Sequence, residues 1–280
     1  MSFRRKRYGQ HFLAPAWADK VVEAIGPAAT DRFLEIGPGP GALTLRLAPR
    51  VQHLTAIEVD RDLAAELRPE LPSNVDLVTA DFLDFDLGAL VAAGPLRVAG
   101  NLPYNISSPI LFKLLHAAHK EREQPPFLAN NGDGIGLVDA TVMLQREVAD
   151  RLVARPGTKD YGVLTIFVAA QADVERVLTL PPGAFRPAPK VHSSVVRIAF
   201  KASVVPATLR PVFDGMVRSM FTQRRKTLGN AVRPFAGSMG MEAAAALAHA
   251  GIDPVRRPET LQLPELIRLA ESLAPISSSP

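Results

Sequence analysis

The chain has 280 residues, 47% of them hydrophobic, which is enough for one sizeable α/β domain and a smaller companion. It has no cysteine, which excludes disulfides, thiol catalysis and thiolate metal sites, and no apolar run approaches a membrane span. The formal net charge is +4 and it sits at the ends: residues 1–20 carry Arg4, Arg5, Lys6, Arg7 and Lys20 against Asp19, residues 203–280 carry nine Lys and Arg against six Asp and Glu, and the middle is acidic. Basic ends around an acidic middle suit ends that meet a polyanion and a middle that holds something else, although either end alone also suits a solvated terminus. The basic stretch Met1 to Gln10 leads into no signal-peptide apolar core, so secretion is not expected. Six histidines are scattered, and the one close pair, His116 and His119, has no carboxylate at ligand spacing, so no metal site is expected.

In chain order, Ala16 to Ile25 has helical spacing and stops at Gly26-Pro27. Arg32 to Ile36 reads as a strand running into Gly37-Pro38-Gly39-Pro40-Gly41, after which Ala42 to Leu47 resumes as a helix. Strand, glycine turn and helix let a backbone approach a nucleoside closely, because glycines remove the Cβ barrier. The turn lacks the Lys-Ser/Thr of a phosphate loop and the spacing of a dinucleotide fingerprint. A second strand, His53 to Val59, delivers Glu58 and Asp60, where an acid can take both hydroxyls of a ribose or cap the next helix. A third, Val75 to Thr79, ends at Ala80-Asp81-Phe82, and a fourth, starting at Leu96, delivers Asn101. Four successive strand ends carrying such groups favour a cofactor site at one sheet edge. In Asn101-Leu102-Pro103-Tyr104-Asn105, Pro103 bars the strand from continuing. An Asn carbonyl, freed backbone carbonyls and the Tyr104 ring suit the exocyclic amine of a stacked base; a structural turn is the alternative.

Ser107 can cap a helix over Pro109 to Lys120, and Gln124 to Asp139 reads as an inserted loop. Thr141 to Gln145 is expected as a fifth strand and Arg146 to Ala154 as a helix. Tyr161 to Gln171 and Ser193 to Phe200 read as β-rich, with Val174 to Leu180 between them, and could close the sheet with an antiparallel edge pair. Phe185-Arg186-Pro187-Ala188-Pro189-Lys190 is extended and rigid; it could present Phe185 at a fixed place with Arg186 and Lys190 near phosphates, or be a proline-stiffened loop over a buried Phe. Beyond Val204 the pattern is helical: Leu209 to Met220, Gln223 to Val232, Met241 to Ala250 and Pro264 to Leu273. Arg218 with Arg224-Arg225-Lys226, and Arg256-Arg257, form basic knuckles that also suit a solvated face.

Taken together, these residues resemble the ribosomal RNA adenine dimethyltransferase family, in its small-subunit branch. The resemblance runs through Lys6 to Leu13, Glu35 to Gly41, Ile57 to Asp60, Ala80 to Phe82, Gly100 to Ser107, Leu144 to Val148, Phe185 to Ser193, Phe221 to Leu228 and Gly251 to Glu259, and so covers nearly the whole chain. The Gln124–Asp139 loop looks longer than the family's. The resemblance implies an α/β, Rossmann-like class I methyltransferase sheet with a smaller all-helical C-terminal domain. Its boundaries would be 1–202, with a basic arm 1–14 and an insertion 124–139, and 203–280 for the helical rRNA-binding part. The implied activity is S-adenosylmethionine-dependent N6,N6-dimethylation of two adjacent adenosines in a hairpin loop near the 3′ end of 16S rRNA. It would act as a monomer on a pre-30S particle, in the cytoplasm, without metal or membrane. Carried over by position, Gln10, His11, Leu13, Glu35, Gly37, Gly39, Gly41, Glu58, Asp81, Phe82 and Asn101 would border the cofactor. Asn101, Leu102, Pro103 and Tyr104 would grip the target adenine, with Phe185 stacked on its other face. Arg4, Arg5, Lys6, Arg186, Lys190, Arg218, Arg224, Arg225 and Lys226, with Arg256 and Arg257, would meet RNA. The rival implications are a large-subunit rRNA adenine methyltransferase of the resistance type, a DNA adenine methyltransferase, and a non-catalytic ribosome-assembly factor.

Overall fold

The structure, a computed structural model, describes residues 11–120 and 136–274. Arg4, Arg5, Lys6, Gln10 and most of the expected insertion lie outside the described residues. The strands are β1 (Phe12–Leu13), β2 (Arg32–Ile36), β3 (His53–Glu58), β4 (Val75–Thr79), β5 (Leu96–Asn101), β6 (Leu137–Gln145), β7 (Ala172–Leu180), β8 (Phe185–Arg186) and β9 (Ser193–Phe200). The helices of the first half are α1 (Pro15–Ile25), α2 (Thr44–Leu47), α3 (Arg61–Leu67), α4 (Gly88–Ala92) and α5 (Ser107–Lys120). Then come α6 (Arg146–Leu152), α7 (Val163–Ala169), α8 (Arg210–Thr222), α9 (Leu228–Ala231), α10 (Arg233–Ser238), α11 (Ala243–His249) and α12 (Leu263–Leu273). Among the described residues no helix is long and apolar enough to cross a membrane.

Seven strands form one sheet in the order β4-β3-β2-β5-β6-β9-β7. The first five are parallel, and β9 runs antiparallel to both β6 and β7. The parallel strands are short apolar runs because helices cover such sheets and their strands are buried on both faces. From β2 the chain moves outward through β3 and β4, then returns to β5 on the other side. The switch point therefore lies between β2 and β5, where ligand crevices open at the carboxyl ends of the strands. Here Ile36 pairs with Gly100, so the glycine turn after β2 and Asn101 at the end of β5 are neighbours. Gly100 is required for this approach, since a Cβ there would stand 2.7 Å from the Ile36 carbonyl oxygen. On one face Ala18, Val21, Val22 and Ile25 of α1 pack with Phe33, Leu54, Ala99 and Met143 of the sheet.

The chain separates into two compact units, one of residues up to Ala149 with Ala172–Ala202, the other of Asp150–Gln171 with the residues from Ser203. The expected extent 1–202 of the first domain is corrected accordingly. The segment 150–171 belongs with the helices: the Tyr161 hydroxyl donates to the Leu261 carbonyl at 2.8 Å, the Gly157 amide donates to Glu259 at 2.7 Å, and the Phe167 and Phe213 rings lie 6.3 Å apart. The same segment corrects a strand. Val163 to Val168 is apolar but for Thr165, and such a run reads equally as strand or buried helix. It forms α7, whose Leu164, Ile166, Phe167 and Val168 are all buried. The antiparallel edge pair is β7 with β9. Two smaller corrections follow. Residues 137–139 of the expected insertion belong to β6, and the expected helix Gln223 to Val232 is a turn followed by α9.

Arg97 of β5 ties α1 to the sheet. Its guanidinium donates to the Ile25 and Gly26 carbonyls at 2.9 and 3.0 Å, to Asp31 at 2.7 Å and to both oxygens of Asp139 at 3.0 and 2.9 Å. Arg197 of β9 adds donors to the Ala24 and Ile25 carbonyls, so two cations satisfy the open carbonyls at this helix's C-terminus. Arg97→Met leaves Asp31 without its cation and Asp139 with only Arg197, 3.9 Å away, and should destabilise the first unit by roughly 3 kcal/mol. Trp17, the only tryptophan, lies in α1 and reports the loss as a lower urea midpoint in fluorescence.

Candidate active site

At the switch point, one pocket is lined by His11, Leu13, Glu35, Gly37, Gly39, Glu58, Asp81, Phe82, Asn101, Leu102, Pro103 and Tyr104, all singled out above. Phe12, Pro38, Ile106 and Ile110 are among its apolar walls, none of them assigned a role from the sequence.

The glycine turn is held from below. Gly37, Gly39 and Gly41 all have left-handed backbone, with φ of 69°, 55° and 84°, which L side chains rarely adopt. Glu58 accepts the Gly39 amide at 2.9 Å through Oε2 and the Asp60 amide at 2.9 Å through Oε1. One carboxylate thus fixes the turn and the end of β3 together, and each oxygen keeps a further lone pair. Asp60 is settled as the N-cap of α3, accepting from Asp62 and Leu63. Gly41 lies outside the lining; a Cβ there would meet Leu67 of α3 at 2.5 Å, so its role is packing. Asp81 folds back on itself, its Oδ1 accepting the Leu83 amide at 2.8 Å.

Glu35 is fully buried, and its Oε2 has no hydrogen-bond partner among the described residues. Burial pushes its carboxyl up to about 7, with Thr44 acting the other way and Glu58 adding repulsion. Burial likewise raises Glu58, opposed by the Asp60 and Gly39 amides. Two desolvated carboxylates in one pocket, one of them with an unpartnered oxygen, suit a cationic ligand with hydroxyl or amine donors.

The Asn101 side chain donates through Nδ2 to the His11 carbonyl at 2.7 Å. A carbonyl can only accept, so the amide's orientation is set and Oδ1 is left as an acceptor. The Tyr104 hydroxyl is 2.8 Å from Ser193 Oγ, which immobilises the ring. Ser193 was an unassigned member of the Phe185–Ser193 stretch; eighty-nine residues separate it from Tyr104, and no pattern in the sequence joined them. The His11 ring stacks on Tyr104 with centroids 5.4 Å apart and planes 28° apart, and its Nδ1 lies 2.7 Å from the Pro187 carbonyl oxygen.

Phe185 is corrected. It is fully buried in the core beside Leu13 and Ala184, outside the pocket lining, with β8 paired to β1. It cannot offer a face to a base in this arrangement, and the ring opposite Tyr104 is that of His11. Several expected RNA contacts are also engaged otherwise. Arg224 donates to the Thr158 and Lys159 carbonyls, Arg256 pairs with both oxygens of Glu265, and Arg218 lies over the Phe167 ring at 4.9 Å. Arg186 donates to the Gly183 and Phe185 carbonyls, while Lys190, Arg225, Lys226 and Arg257 are exposed. Among the described residues no group of three or more His, Asp or Glu is arranged to hold a metal.

A mostly parallel seven-stranded sheet with an antiparallel edge, and a glycine turn and acidic strand ends around a switch-point pocket, define a Rossmann-like class I methyltransferase. Residues 1–274 match the model of the ribosomal RNA adenine dimethylase family, and the chain belongs to that family. Among its relatives, the "Ribosomal RNA small subunit methyltransferase A" of Nitrosococcus oceani is 44% identical over 271 residues, 95% of this chain and 94% of that one. A dimethyladenosine transferase from Plasmodium falciparum superposes with a TM-score of 0.73 at 25% identity, covering 92% of this chain and 96% of the other. The 23S rRNA methyltransferase ErmE does so with a TM-score of 0.64 at 26% identity, covering 94% and 99%.

Because the Glu35 carboxyl is raised in the folded state, its contribution to stability is complete below about pH 4.5 and is lost as pH rises towards about 7. Glu35→Gln should therefore match the wild type in acid and exceed it at pH 8, by roughly 3 kcal/mol. Thermal unfolding of the ligand-free protein across this range checks it; parallel curves would show that Glu35 titrates as an ordinary carboxyl.

Proposed function

We propose that this protein uses S-adenosylmethionine to dimethylate N6 of two adjacent adenosines in a hairpin loop near the 3′ end of small-subunit rRNA, acting in the bacterial cytoplasm on a small-subunit precursor. The observation that carries the reading is the Asn101 amide, turned by the His11 carbonyl so that its own carbonyl is left to accept at the mouth of the pocket. The cofactor, when bound, supplies an electrophilic methyl group on a sulfonium. The residues present fit it: the unpartnered oxygen of Glu35 is a counter-charge for its cationic part, Glu58 has lone pairs for ribose hydroxyls, and Asp81 keeps Oδ2 for an adenine amine.

The adenine N6 lone pair is delocalised into the ring, which makes the amine a poor nucleophile. Asn101 Oδ1 and the Leu102 carbonyl accept its two N–H bonds and favour a pyramidal nitrogen with its lone pair directed at the methyl group. This is positioning and electrostatics, with no base required beforehand, because the amine becomes acidic only after transfer. Tyr104, held by Ser193, supplies the stacking face, worth about 1–3 kcal/mol per base. A base between two rings needs about 7 Å, twice an ordinary contact, so the His11 ring must swing away from Tyr104 before a base can be sandwiched there. Exposed Arg225, Lys226 and Arg257, with Arg155, Lys159 and Arg233, are cations of the helical unit available to rRNA phosphates, and binding should weaken steeply with salt.

The likeness to ErmE favours one second reading, methylation of large-subunit rRNA. Mass spectrometry of nucleosides separates the two, after unmodified 30S and 50S subunits are incubated with enzyme and S-adenosylmethionine. Dimethyladenosine in the small subunit alone is expected; product in the large subunit moves the protein to the other activity, and none in either removes both. In the same assay Asn101→Ala should lower turnover by about a hundredfold or more while S-adenosylmethionine binding, read by calorimetry, survives. Wild-type turnover in that variant would sink the proposed role of Asn101.

A further inference from the structure

Lys113 stands in the second turn of α5, one turn beyond Ile110 of the pocket wall, yet it does not line the pocket itself. Lysine ammonium groups ordinarily stay in water at the end of a flexible stem. This one is turned inward. Its Nζ donates to the Leu83 carbonyl at 2.8 Å and to the Phe85 carbonyl at 2.5 Å, and lies 5.2 Å from the centre of the Phe82 ring. Burial lowers its pKa, while Asp84, Asp81 and Asp86 act in the opposite direction.

All of these partners lie in the segment that follows β4. That segment is a tight turn closed on Asp81, whose carbonyl accepts the Asp84 and Phe85 amides and whose side chain accepts the Leu83 amide. The turn carries Asp81 and Phe82 into the pocket, and its outer carbonyls at Leu83 and Phe85 both receive Lys113. A single ammonium thus joins the helix that follows the Asn101–Tyr104 loop to the far wall of the cofactor pocket.

We infer that Lys113 is a positioning residue that holds the Asp81–Phe82 wall in the geometry that recognises the 6-amino group of the cofactor's adenine. This rests on the reading that Asp81 accepts from that amine. Without Lys113 the turn is released, the Asp81 carboxylate loses its fixed position, and selection for an amino group over an oxo group falls.

The test compares S-adenosylhomocysteine with S-inosylhomocysteine, which carries an oxo group at that position, by calorimetry on the full chain. The wild type should prefer the adenosyl compound by about tenfold or more, since its acceptor is otherwise left facing an oxygen. In Lys113→Met the adenosyl affinity should fall so that the preference shrinks to within about threefold, and Lys113→Arg, which keeps a cationic donor, should recover part of it. A purely structural role would weaken both compounds equally; an unchanged ratio in Lys113→Met overturns the inference while leaving the Asp81 reading intact. A wild type that binds both compounds equally overturns that reading, and this inference with it. If Lys113→Met fails to fold, acylation of the wild-type lysines followed by mass spectrometry decides. Lys113 should react more slowly than Lys20 and several-fold more slowly again with S-adenosylhomocysteine bound, and a rate unaffected by the ligand overturns the inference.

Discussion

The pairing of β2 with β5 is the constraint on which the site depends. Ile36 lies opposite Gly100, so the chain leaves both strands at the same height, one into the glycine turn and the other into Asn101-Leu102-Pro103-Tyr104. A turn suited to a nucleoside and a loop suited to a base are neighbours only because the strand order reverses here. The approach is close enough that Gly100 admits no Cβ. A slip of one residue in this register would turn Glu35 and Asn101 to other faces and dissolve the pocket.

Around this point the pocket is arranged at an energetic cost. Glu35 and Glu58 are both buried, each resists ionisation, and one Glu35 oxygen has no partner among the described residues. A fold selected for stability alone would place an apolar side chain at Glu35. The first unit holds it through a core in which α1, the sheet and the β1–β8 pair pack together, and through Arg97, which sends three of its five hydrogen bonds to Asp31 and Asp139 and two to the end of α1. The two groups of buried charge differ in kind: Arg97 and Arg197 together balance Asp31 and Asp139, whereas no cation among the described residues pairs with Glu35 or Glu58, as suits a site for a cationic ligand.

How much of this was legible in the sequence varies with the range of the interaction. The strand ends carrying Glu35, Glu58, Asp81 and Asn101 could be read because each is a local pattern, an apolar run stopped by Gly, Pro or a polar residue, and the pocket unites them. The family resemblance implied a Rossmann-like sheet; its strand order is a long-range property that no local pattern carries. Where a run is apolar on nearly every side, as over Val163 to Val168 with Thr165 its one polar residue, periodicity does not separate a buried helix from a strand. Phe185 illustrates a different limit. The prolines after it do hold the segment extended, but which way its ring faces depends on the pairing of β8 with β1, whose partners Leu13 and Phe185 are 172 residues apart and share no local signal. Arg224 and Arg256 show a related limit: charge in a sequence looks available until the carbonyls or carboxylates that engage it are placed in space.

The way Asn101 is held bears on how one pocket could transfer two methyl groups to the same nitrogen. After the first transfer the amine has a single N–H, so two acceptors compete for one proton and the nitrogen must rotate to present its lone pair again. An Asn amide free to flip could follow the substrate and settle with its NH2 group towards it, which would hold the lone pair unproductively. The contact from Nδ2 to the His11 carbonyl prevents that flip, because the reversed amide would set two oxygens against each other. His11 therefore acts twice in the proposed reaction: its backbone keeps Asn101 an acceptor through both transfers, and its ring occupies the Tyr104 face until a base replaces it. The ring can swing while the carbonyl stays, since rotation of a side chain leaves the backbone of β1, paired with β8, in place.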